Sequence, residues 1–73
     1  MNSYEIFTAE EINLICIYDI RSRQKLLAEI KQSMQFVYDP EMIEIMVNVV
    51  KKLDTLSDIE FDKMEFLEFS QMP

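Results

Sequence analysis

The chain contains no glycine, no histidine and no tryptophan, and a single cysteine. Phosphate-cradling loops need glycine where backbone N–H groups approach a ligand closely, so neither a P-loop nor a dinucleotide fingerprint can be built. The same absence denies every helix its preferred left-handed terminator, and helix ends are expected to fray or tighten into 3₁₀ turns. Without histidine, the side chain that normally titrates near neutral pH is missing and a Ser or Cys nucleophile lacks its customary base. Cys16 cannot close an intrachain disulfide, and one thiolate without His does not make a structural zinc site. Its expected role is that of a small buried apolar group.

Long apolar runs are missing too. The longest, residues 12–18, is interrupted by Asn13 and falls far short of the roughly 20 residues that span a bilayer. No basic region followed by an apolar run and a small-residue cleavage site opens the sequence. These absences lead to the expectation of a cytoplasmic, non-enzymatic protein with no cofactor, no metal and no membrane segment.

What remains is a chain of 73 residues, room for one domain, with 49% hydrophobic content carried by Ile, Leu, Met, Val and Phe. Ordering it costs roughly 1.5 kcal/mol per residue, which one efficient core must offset. Net charge is −7, and unevenly placed: residues 1–53 hold eight acids and six bases, residues 54–73 six acids and one base. Affinity for nucleic acid comes largely from Lys and Arg on phosphates, so this balance argues against direct DNA binding and for a protein partner. The acids serve equally well to keep a Met- and Phe-rich small protein in solution. A weaker reading makes the acidic last segment a mimic of DNA phosphates.

Caps and periodicity predict an all-α fold: a small bundle of three main helices plus a short C-terminal one, over residues 9–18, 20–34, 40–53 and 58–67. Thr8-Ala9-Glu10-Glu11 is a capping box, with Phe7 and Ile12 placed as a hydrophobic staple. Ile12, Ile15 and Cys16 share one face, and Leu14, Ile17 and Tyr18 widen the stripe until the helix looks enclosed by its neighbours. The β-branched run would also suit a strand, but a capping box has no strand counterpart and alternation is poor. Asp19 or Ser22 can cap the second helix, whose Leu26, Leu27, Ile30 and Met34 lie along one side. Its other face is basic, with Arg21, Arg23, Lys25 and Lys31 read either as a candidate nucleic-acid surface or as a solvated face balanced by the C-terminal acids.

Asp39-Pro40-Glu41 is a strong helix start: Asp39 as N-cap, Pro40 where its missing N–H costs nothing, and Glu41 at the positive dipole end. Met42, Met46, Val49 and Leu53 then form a stripe flanked by Ile45 and Val50, with Lys51 and Lys52 suiting the C-terminal end. Ser57-Asp58-Ile59-Glu60 is a second capping box. Behind it Phe61, Met64, Glu65, Phe66, Glu68 and Phe69 form a candidate protein-interaction segment, an apolar patch rimmed by acids, unless the three-helix core absorbs its side chains. Residues 54–65 place acids at positions 1, 5, 7, 9 and 12 of an EF-hand loop. Leu56 and Ile59 stand where an oxygen ligand and a glycine belong, which argues against calcium.

Phe7 through Asp19, then Arg23, then Tyr38-Asp39-Pro40-Glu41-Met42, resemble the transposon-transfer assisting proteins of Firmicutes over about residues 4–62. The resemblance implies a small cytoplasmic accessory role in the transfer or maintenance of conjugative elements, and no catalytic or ligand-binding residue comes with it. The expected function is therefore an accessory factor acting through a protein partner. The rivals are a DNA-binding regulator using the basic face and a structural homodimer that gains core from a second copy.

Overall fold

A computed structural model describes residues 5–64 as four α-helices and no strand. They are α1 (Ala9–Ile15), α2 (Arg23–Met34), α3 (Pro40–Thr55) and α4 (Asp58–Asp62). Each begins at a side-chain cap. The Glu11 N–H donates to Thr8 Oγ1 at 3.2 Å and the Thr8 N–H to Glu11 Oε1 at 2.9 Å, the reciprocal pair that gives a capping box its strength. Ser57 and Glu60 repeat it at 3.1 and 2.9 Å. Asp39 Oδ1 accepts from the Glu41 N–H at 3.0 Å, with Pro40 next to it in the first turn. Of the two candidate caps for α2, Ser22 is the one used.

All four helices end as a glycine-free chain must. Leu14, Ile15, Gln32, Ser33, Met34, Leu53 and Phe61 carbonyls accept from N–H groups three residues on, the 3₁₀ pattern that tightens a last turn without positive φ. No described residue adopts positive φ.

Helix α3 packs against both α1 and α2, and α4 against α2. Phe7, Ile12, Ile15, Leu26, Ile30, Met46, Val49 and Leu53 are fully enclosed between them, each worth about 1.5–3 kcal/mol of apolar burial. Phe7 and Ile12 lie in this core as the staple requires. Cys16 is half-buried against it, and burial pushes its thiol pKa up.

Four boundaries differ from the sequence reading, one of them in α4, which ends at Asp62 rather than residue 67 as the Lys63 and Met64 N–H groups close its last turn onto Ile59 and Phe61. Helix α1 stops at Ile15 instead of residue 18 because the chain must turn toward α2, and Ile17 is left 76% exposed rather than enclosed. Helix α2 starts at Arg23, since Asp19 is occupied by Arg21 and Lys25 and does not cap. Helix α3 continues to Thr55, whose hydroxyl donates to the Lys52 carbonyl at 2.7 Å.

Candidate protein-binding surface

The end of α1 and the start of α3 form an open apolar groove. Leu14 and the half-buried Ile45 lie deep in it, Ile17 and Met42 stand at its lip, and Glu10 and Asn13 close one side, around about 270 Å³ of space. Local structure explains each placement. The 3₁₀ bonds from the Ile17 and Tyr18 N–H groups to Leu14 and Ile15 release Ile17 from the helix, so it stands outside the core rather than inside. Pro40 in the first turn of α3 brings Met42 and Ile45, three residues apart, onto one helix face.

A second hollow continues the groove along the same two helices, sharing Glu10 and Ile45 with the first and lined further by Glu11, Glu41, Glu44 and Asn48. Of its four carboxylates, Glu11 is buried and bound to Lys52 Nζ at 2.6 Å. Glu10, Glu41 and Glu44 are exposed and form no ion pair with a described residue. The surface is an apolar strip edged by unneutralised negative charge.

A family described as "Putative transposon-transfer assisting protein" matches residues 7–68. The chain belongs to that family. Neither a search of curated proteins nor one of solved structures returned a match. The family's description ties this transposon-transfer assisting chain to an accessory role in transposon transfer and names no mechanism. No helix among the described residues is long and apolar enough to cross a membrane. Among those residues no group of three or more His, Cys, Asp or Glu is arranged to hold a metal ion.

Of the candidate interaction segment in this family member, Phe61 and Met64 are taken up by the core, the alternative to an exposed patch. Phe61 is 3% exposed and Met64 is also buried, both part of the core cluster. The physical reason is that α4 folds back onto α2, directing Phe61 inward and leaving Ile59 at the surface. Glu65, Phe66, Glu68 and Phe69 lie outside the described residues.

Two carboxylates, Asp19 and Asp58, engage three of the four cations of the basic face. Arg21, which precedes α2, grips Asp19 through Nε at 3.0 Å and Nη2 at 2.7 Å, and Lys25 Nζ reaches the same carboxylate at 3.2 Å. The Arg21 hydrogen bonds hold the Asp19 carboxyl well below the usual carboxylate range. Arg23 is turned inward, donating to Asp58 Oδ1 at 2.8 Å and to the Leu53 carbonyl at 2.9 Å. Lys31 is exposed on the surface of α2. Of the four, Arg23 alone ties helices together; Arg21 and Lys25 share the single Asp19 carboxylate and, like Lys31, remain at the surface, with side chains 84% and 54% exposed.

Periodicity places Leu14, Ile17, Met42 and Ile45 in or beside buried stripes. A signal for Ile17 was present, because it follows Ile15 by two residues and such neighbours do not face the same way on a helix. For Met42 the sequence held none, since its spacing to Met46 and Val49 is that of a core position.

Proposed function

We propose that this chain is a cytoplasmic accessory protein of a conjugative transposon that works by holding a second protein. The observation that carries this reading is the α1–α3 groove: Ile17 and Met42 stand exposed beside Leu14 and Ile45, an apolar patch rimmed by polar residues of the kind that marks contact sites. Family membership supplies the setting. The missing histidine and glycine leave the chain without the usual means of acid–base or nucleotide chemistry, so contact is the activity it is equipped for.

The competing DNA-regulator reading has less support, because Arg21, Arg23 and Lys25 are engaged with Asp19 and Asp58. Deleting the gene from an element-bearing donor strain tests the proposal. Transfer frequency should fall and return with the wild-type gene, and a tagged copy should retain a protein encoded by the element. Unchanged transfer frequency after deletion would refute the role.

A further inference from the structure

We propose that the α1–α3 groove receives a basic amphipathic helix of the partner, its apolar side on Leu14, Ile17, Met42 and Ile45 and its lysines or arginines on Glu10, Glu41 and Glu44. This rests on the protein-binding reading above and adds the chemistry of what is bound. The argument for a helix is geometric. Both walls are helices whose interior backbone groups are already bonded, so the groove has no strand edge to extend, which favours an occupant that bonds its own backbone. The hollow at the lip, about 270 Å³, has room for about two large apolar side chains. Met42 at its edge offers an unbranched, polarizable surface that adapts to different shapes.

Charge decides the occupant. A second copy seated by two-fold symmetry would bring the same patch to itself, setting Glu10, Glu41 and Glu44 against their own equivalents. Residues 65–73 carry Glu65 and Glu68 and no Lys or Arg, so the chain's own last segment would add negative charge to a negative rim. A cationic partner gains from the three carboxylates that no described residue neutralises, in encounter rate and in orientation.

The test uses the full chain and a fluorescein-labelled Lys/Leu amphipathic helix of about 18 residues, long enough to hold helical structure. Controls are a scrambled Lys/Leu peptide and a Glu/Leu helix. The Lys/Leu helix should bind at least about tenfold more tightly than either control, and amide shifts should cluster at residues 10–17 and 41–48. Ile17→Ser and Met42→Gln, both at exposed positions that leave the core intact, should each weaken binding about tenfold. Glu10→Gln combined with Glu44→Gln should flatten the salt dependence. Phe36→Ser, exposed but outside the groove, should change nothing.

Equal binding of the scrambled peptide, or no loss with Ile17→Ser and Met42→Gln, overturns the proposal. So does concentration-dependent dimerisation by sedimentation with shifts at the same groove residues, which would make a second copy the occupant. Capture of the element's partner that survives both groove substitutions leaves the accessory role standing and removes the groove from it.

Discussion

Lys52 and Glu11 join α3 to α1 across 2.6 Å, and the same Glu11 oxygen accepts the Thr8 N–H that opens α1. One carboxylate, 4% exposed, therefore serves as helix cap and as interhelical tie at once. The Lys52 ammonium also lies 5.8 Å from the centre of the Phe7 ring, within cation–π range.

Glu11→Ala should be the more damaging half of this pair, costing about 2–3 kcal/mol, since it removes a cap and leaves an ammonium without its partner. Lys52→Met keeps the stem that packs along the interface but leaves the buried Glu11 carboxylate with only the Thr8 N–H, and should cost about 1–2 kcal/mol. Urea denaturation of the two single variants and the double variant measures both and their coupling. A coupling energy near zero would mean the contact does not act as a unit.

Arg23 should not be replaceable by lysine. Its planar fork serves Asp58 at the start of α4 and the Leu53 carbonyl near the end of α3 simultaneously, which a single ammonium cannot reproduce. Arg23→Lys should lower stability by about 1 kcal/mol, with hydrogen exchange rising first in α4. Uniform exchange across all four helices would show that the tie is not local.

Phe61→Ala should cost about 3 kcal/mol, the penalty for emptying an aromatic site in a core. In a domain of this size that lowers the melting temperature by at least about 12 °C. A change under about 0.5 kcal/mol, typical of surface sites, would return Phe61 to the exterior.

Acid should weaken the chain through Asp19 and Glu60. Arg21 lowers the pKa of Asp19, and the Ser57 N–H lowers that of Glu60. A carboxyl with a depressed folded pKa contributes stability above its unfolded value and loses it as pH falls toward the folded one. The window thus opens below the ordinary values of 3.8 and 4.5. The melting-temperature gap between wild type and Asp19→Asn, widest near neutrality, should narrow steadily as pH falls below about 4. A gap constant with pH would show that the Asp19 charge does not matter.

The sequence by itself determined whatever depends on neighbours along the chain. Thr8 with Glu11, Ser57 with Glu60, and Asp39 with Pro40 act within three residues of one another, so the helix starts could be read directly, and the absence of glycine dictated how the helices end. Tertiary structure decided what depends on direction and distance. Ile17 and Ile12 are equally apolar, yet only the turn after Ile15 leaves one outside and the other within. Arg23 and Asp58, 35 residues apart, and Glu11 and Lys52, 41 apart, meet only because the four helices pack, and it is that packing which draws Arg23 out of the basic face and leaves three carboxylates beside the groove. Caps are local hydrogen bonds and write themselves into spacing; the exposure of a side chain is a property of its surroundings, which spacing along one strand of chain does not contain.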